Sequence, residues 1–172
     1  MRPTLALAAL LSAAGLHGGQ VPDAVDPALI PAYKVIAPGL VAAGQPVPDA
    51  LARLGTMGFK TVLNLRLPDE GGPANERSVV EGQGLRYVSI PVTSASLSLD
   101  DLAAIEKVLD DPAAAPVLFH CASSNRIGGV WAAIQVRKGK SLDAALAAGR
   151  EAGLRSTTME DAVRRLVAPK NP

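Results

Sequence analysis

The chain has 172 residues, 17 Lys and Arg against 16 Asp and Glu, and 48% apolar residues, with aromatics at only 3%. That size supports one domain with a substantial aliphatic core, and the balanced charge excludes both the broad basic field of a nucleic-acid binder and an acidic disordered tail. One Cys and two His leave no internal disulfide and too few ligands for a His/Cys metal cluster, so no metal and no cofactor is expected.

The N-terminus differs from the rest. Met1-Arg2 is a minimal basic start, Leu5 to Leu11 is apolar, and Ser12 and Ala14 supply small residues at a cleavage site. This pattern reads as a secretory signal peptide over residues 1–19, too short to anchor in a bilayer. It predicts a periplasmic or secreted protein with no stable membrane insertion after processing. Residues 20–32, rich in Pro and Asp, read as an extended arm, and residues 33–168 as the domain itself.

Tyr33 to Ile36 and Leu40 to Ala43 flank a Pro38-Gly39 turn and predict a hairpin at a sheet edge. Ala50, Leu51, Leu54 and Met57 fall at helical spacing before Gly58. Thr61 to Leu65 reads as a central parallel strand. A Pro- and Gly-rich loop follows over residues 67–73, then a weaker helix from Glu76 to Glu81. Arg86 to Ile90 is a strand halted by Pro91. Ser98 and Asp101 form a capping signature for a helix through Leu109. Pro116 to Phe119 is the next strand. Helices over Ile127 to Arg137, Leu142 to Ala152 (capped by Ser141) and Met159 to Val167 (capped by Thr157 or Thr158) complete the chain. Alternating strands and helices predict an α/β domain, a mostly parallel central sheet with helices on both faces. No later segment is apolar enough to cross a membrane, and no basic patch with interleaved aromatics suggests nucleic acid.

The chemistry concentrates in Val117-Leu118-Phe119-His120-Cys121-Ala122-Ser123-Ser124-Asn125-Arg126-Ile127. An apolar strand ends at the only cysteine, a short polar loop follows, and an arginine opens a helix. A thiol beside a helix N-terminus and a guanidinium is stabilised as thiolate, and the same backbone N–H groups bind an anion. The small residues Ser123, Ser124 and Asn125 let that backbone approach an oxyanion closely. Gly128 and Gly129 are poor helix formers and imply tight packing. The sulfur is expected to be exposed and ionised, facing the anion pocket.

His120-Cys121 followed by Arg126 resembles the signature loop of the cysteine-dependent protein-tyrosine and dual-specificity phosphatases. Gly44-Gln45-Pro46, Val62-Leu63-Asn64-Leu65-Arg66 and Ile90-Pro91-Val92, in that order, resemble the bacterial phosphatase-like domain of β-lactamase-hydrolase-like proteins, over about residues 33 to 150. The resemblance implies the three-layer phosphatase-like fold. It makes Cys121 the nucleophile and Arg126 the oxyanion clamp. The backbone of Ala122, Ser123, Ser124 and Asn125 through Ile127 would be the substrate cradle. His120 would support the thiolate by hydrogen bonding within the loop. The implied reaction is phosphoryl transfer to sulfur and hydrolysis of the thiophosphate. Its substrate would be a small anion or a phosphorylated protein.

Three departures open other readings. Four residues separate Cys121 from Arg126, one fewer than in those phosphatases and a length that resembles the rhodanese sulfurtransferases. Ile127 stands where the phosphatases carry Ser or Thr. Val92 to Ser96, in place of the general-acid loop, holds no carboxylate, while Asp100 and Asp101 are explained by helix capping. Asp69 and Glu70 are the substitute acids, on the same rim as Cys121, although the Gly and Pro around them favour a solvated turn. Arg66 is either a further anion contact or a surface charge. Three functions therefore stand: a cysteine-dependent phosphatase, a sulfurtransferase or persulfide carrier on Cys121, and a non-catalytic anion- or phosphate-binding module.

Overall fold

Pro38 and Gly39 reverse the chain between β1 (Lys34–Ala37) and β2 (Leu40–Ala43), with Gly39 at φ +70°, a left-handed conformation that glycine adopts without a side-chain clash. The computed structural model describes residues 20–168; the expected signal peptide lies outside them. The strands β3 (Thr61–Asn64), β4 (Arg86–Ser89) and β5 (Val117–His120) complete a sheet of order β1-β2-β5-β3-β4. Only the β1–β2 pair is antiparallel. The α/β architecture and the central place of β3 follow the sequence pattern. The hairpin reaches further in than expected, because β2 pairs with β5 and is buried throughout, leaving β1 as the edge.

Side chains alternate across the sheet, and each face builds its own core. Val41, Val62 and Leu118 pack with α1 (Pro48–Leu51), α2 (Glu76–Glu81) and the N-terminal arm. Leu63, Val117 and Phe119 pack on the other face with α3 (Leu99–Leu109), α4 (Asn125–Arg137), α5 (Leu142–Glu151) and α6 (Thr157–Val167). This parity has a direct consequence at the end of β5. His120 shares the face of Leu118, and Cys121 shares the face of Phe119. No helix among the described residues is long and apolar enough to cross a membrane.

Several boundaries differ from expectation for physical reasons. The helix expected through Met57 stops at Leu51 and continues as turns, since Gly55 weakens it and Gly58 sits at φ +91°. Leu54 is nevertheless fully buried. The arm is folded rather than extended: Ile30 is fully buried, and Pro31 and Leu29 carbonyls accept from Gly44 and Val47. Ser156, not Thr157 or Thr158, caps α6 by accepting from the Met159 N–H. The Ser98–Asp101 capping box and the Ser141 cap form as expected.

The glycine pair in α4 lets helices touch. A β-carbon on Gly128 would lie 2.1 Å from the Leu154 nitrogen and 2.4 Å from the Gly149 oxygen, both backbone atoms, whereas one on Gly129 would meet only Met159 side-chain atoms, at 2.6 Å. Backbone cannot yield as a thioether can. Gly128→Ala should therefore lower the unfolding free energy by roughly 2–3 kcal/mol and Gly129→Ala by only about 1 kcal/mol. Urea unfolding of the two variants measures this, and equal losses would contradict the packing described.

Candidate active site

The loop after β5 is held from both sides. The Cys121 N–H donates to the Ala43 carbonyl at 3.3 Å, and the Ala122 carbonyl accepts from the Gln45 N–H at 3.2 Å. Ser124 adopts φ +66° at the N-cap of α4. Its buried hydroxyl donates to the Ala152 carbonyl at 2.8 Å. Asn125 turns the same way, its Oδ1 accepting from the N–H groups of Arg155 and Ser156 at 2.8 and 3.0 Å. These side chains are committed to the α5–α6 turn, so the loop interior is left to main chain. The N–H groups of Asn125, Arg126 and Ile127 open α4, have no helical acceptor, and find no other acceptor among the described residues. An anion near them is stabilised by those donors and by the positive end of the helix. The Ile127 side chain is fully buried and contributes packing.

Cys121 corrects one expectation. The residue is 1% exposed and belongs to the core on the α4 face, because strand parity turns it inward. It is not enclosed by hydrocarbon alone: the Arg126 charge is near enough to interact with it, although the terminal guanidinium nitrogens are given to Glu70, Leu65 and Val92. Burial works against the arginine's charge, but hydrogen bonding to Glu70 and the proximity of Cys121 hold its pKa above the ordinary range. One terminal nitrogen of Arg126 donates to the Leu65 and Val92 carbonyls at 3.1 and 3.2 Å and to Glu70 Oε1 at 2.5 Å. The other donates to Glu70 Oε2 at 2.5 Å.

Glu70 sits on an exposed turn, as the Gly and Pro around it suggest, but its side chain is engaged. Its carboxylate grips Arg126 with both oxygens, the geometry in which guanidinium and carboxylate bind most strongly. Hydrogen bonding from Arg126 outweighs its burial and, with the Leu67 N–H and the charge of Arg66, lowers its pKa to about 2. A group so held is ionised at neutral pH and has no proton to donate, so in this arrangement Glu70 is the partner of Arg126 rather than an acid. Asp69 beside it is exposed. Thr93 and Ser96 bind each other and the backbone of their own loop, and Asp101 is engaged in the α3 cap.

His120 corrects a second expectation. Its ring is fully buried on the opposite face from Cys121 and makes no hydrogen bond to the loop. Its Nε2 lies 2.8 Å from Oε1 of the equally buried Glu76, close but off the direction a hydrogen bond requires. Gln45 Nε2 donates to the other Glu76 oxygen at 3.2 Å, and Gln45 Oε1 accepts from Arg66. Arg66 also donates to the Glu70 and Gly71 carbonyls, so it is a buried clasp on the 67–73 loop rather than a surface charge. Neither Glu76 nor Gln45 was assigned a role from sequence. Gln45 lies in one of the motifs that carried the resemblance, whereas nothing in a short helix marks Glu76 as buried. A cleft of about 460 Å³ opens beside this network, between Arg66, Pro73, Arg77 and Tyr87, and neither Cys121 nor Arg126 lines it. No group of three or more His, Cys, Asp or Glu among the described residues is arranged to hold a metal.

Known proteins can now be set against this geometry. The family model for the beta-lactamase hydrolase-like protein, phosphatase-like domain, matches residues 32–138. A beta-lactamase hydrolase-like protein of Agrobacterium fabrum is 31% identical over 91 residues, 51% of this chain and 21% of that one. One of Xylella fastidiosa is 28% identical over 105 residues, 59% of this chain and 24% of that one. The chain thus spans only about a fifth to a quarter of these relatives' length. Among solved structures, TpbA of P. aeruginosa has a TM-score of 0.64 at 22% identity, covering 84% of this chain and 86% of its own. The core catalytic domain of the PP-IP phosphatase SIW14 from S. cerevisiae has a TM-score of 0.64 at 15% identity, covering 77% and 83%. The shared fold is that of the protein-tyrosine-phosphatase-like proteins.

The Arg126–Glu70 pair sets an acid dependence. Because the carboxyl pKa is depressed on folding, its stabilisation is complete above its ordinary 4.5 and is lost as pH falls towards about 2. The stability gap between the protein and Glu70→Gln should stay constant from neutral pH down to about 5 and close in stronger acid. Chemical denaturation across that range checks it; a pH-independent gap would show that the carboxylate is not held by charge.

Proposed function

Because the chain belongs to the phosphatase-like domain family of beta-lactamase hydrolase-like proteins, we propose that it hydrolyses phosphate monoesters through Cys121. The observation that carries this reading is the start of α4, where three amides without acceptors and the Arg126 guanidinium adjoin the end of β5 that leads into Cys121. A phosphate bound there would have its equatorial oxygens on the Asn125, Arg126 and Ile127 amides and on the guanidinium, which leaves phosphorus facing sulfur. Donors fixed in advance of the reaction stabilise the charge of an in-line transition state without reorganising.

In the first step the thiolate forms an S–P bond as the ester P–O bond breaks, and the alcohol oxygen leaves with the bonding pair. Water then attacks phosphorus, the S–P bond breaks, and phosphate departs as the sulfur recovers its electrons. The incoming phosphate replaces Glu70 on Arg126, one oxyanion exchanged for another, so the 67–73 loop must lift from the guanidinium. No carboxyl group is held protonated at the loop, and the leaving oxygen therefore departs with little assistance. Rates should fall steeply with leaving-group basicity. Aryl phosphates of acidic phenols should turn over at least about 100-fold faster than alkyl phosphates, since a positioned acid is ordinarily worth that much.

A second reading, sulfur transfer through a Cys121 persulfide, is favoured by the four-residue spacing to Arg126 and by a reaction that needs no proton donor. Phosphate release from an aryl phosphate and sulfur release from thiosulfate, measured side by side, separate the two. The proposal expects release of phosphate alone, abolished in Cys121→Ser and reduced about 100-fold or more in Arg126→Ala. Cys121-dependent sulfur release without phosphate release would replace it with the second reading. Anion binding without either reaction would leave a binding module.

A further inference from the structure

The cradle carries another guanidinium on its rim. Arg155 lies in the turn between α5 and α6, is exposed, and donates from a terminal nitrogen to the Ser123 carbonyl at 2.6 Å. Ala122 and Ser123 are the exposed residues of the loop, so this guanidinium borders its open side. Its backbone is fastened to the same loop. Asn125 binds the Arg155 and Ser156 N–H groups, and Ser124 binds the Ala152 carbonyl. A β-carbon on Gly153 would lie 2.8 Å from Ser124 atoms, so the turn has no slack against the cradle.

Arg66, Arg126, Arg150 and Arg164 each have a carboxylate partner: Glu70 pairs with Arg126 and Arg66, and Glu160 pairs with Arg150 and Arg164. Arg155 has no carboxylate partner among the described residues. A guanidinium has five N–H donors, and Ser123 takes one. Bracing a single carbonyl does not require a full charge, yet a permanent one is held here within a side chain's length of the amides that open α4.

We propose that Arg155 is a specificity residue that selects substrates bearing a second negative charge, a carboxylate or another phosphate, near the phosphate that enters the cradle. The inference rests on the phosphatase reading for the identity of the first anion only. It predicts discrimination among ligands whether or not they are turned over.

The test uses the full chain carrying Cys121→Ser, with Arg155 intact or changed to Ala, Lys or Glu. Calorimetry measures the affinity for phenyl phosphate, carboxyphenyl phosphate and phenylene bisphosphate. Arg155→Ala should weaken at least one doubly charged ligand about fivefold more than phenyl phosphate, on the scale of an exposed ion pair, and the ligand that loses most identifies the second group. Arg155→Lys should restore part of the difference, and Arg155→Glu should deepen it. Equal weakening of all three ligands would make Arg155 a brace and overturn the proposal, as would no weakening or no binding of any of them. Turnover by the protein that keeps Cys121 reports separately on the phosphatase reading.

Discussion

The Arg126 guanidinium donates to the carbonyls of Leu65 and Val92 and to both oxygens of Glu70, so the segments leaving β3, β4 and β5 are fastened to one another through a single side chain. Leu65 follows β3, Val92 follows β4, and Arg126 itself lies in the first turn of α4, after the loop that leaves β5. Parallel strands bring their carboxyl ends to one rim, where ligands of open α/β sheets bind. The charge at the centre of that rim serves the fold and, on the proposed function, anion capture as well. Glu70 satisfies it at rest, and an oxyanion that binds must do at least as well.

Parity at the end of β5 divides the labour behind that rim. Because consecutive residues face opposite sides, Cys121 enters the core shared with α4 while His120 enters the polar pocket closed by Glu76 and Gln45. The two networks are joined through Arg66 and Glu70 and by the Gln45 N–H on the Ala122 carbonyl. The sulfur gains its polar neighbour from the helix that follows it, not from the residue before it. Burial of a thiol ordinarily makes it inert.

The fold was legible because its signals are local. Gly39 at the hairpin, the Ser98–Asp101 box before α3 and the apolar runs of β3 and β5 each follow from a few adjacent residues. Cys121 and Arg126 were legible for the same reason, being five positions apart in one strand–loop–helix segment. What escaped was long-range. The role of Glu70 escaped because its partner lies 56 residues away, and Glu76 drew no reading because His120, which it meets, belongs to another element. Arg66, read as either an anion contact or a surface charge, proves to clasp the 67–73 loop. Charged side chains are read from sequence as exposed unless a partner can be named, and here each partner is set by topology.

The account stands on a thiol seated at the base of an anion-binding cradle. Alkylation of Cys121 by negatively charged iodoacetate and by neutral iodoacetamide, compared in the protein and in Arg126→Ala, probes that arrangement most directly. The cradle should favour the anionic reagent, lose that preference when Arg126 is removed, and be protected by inorganic phosphate. A preference for the neutral reagent that is indifferent to Arg126 and to phosphate would show a buried sulfur with no anion site above it.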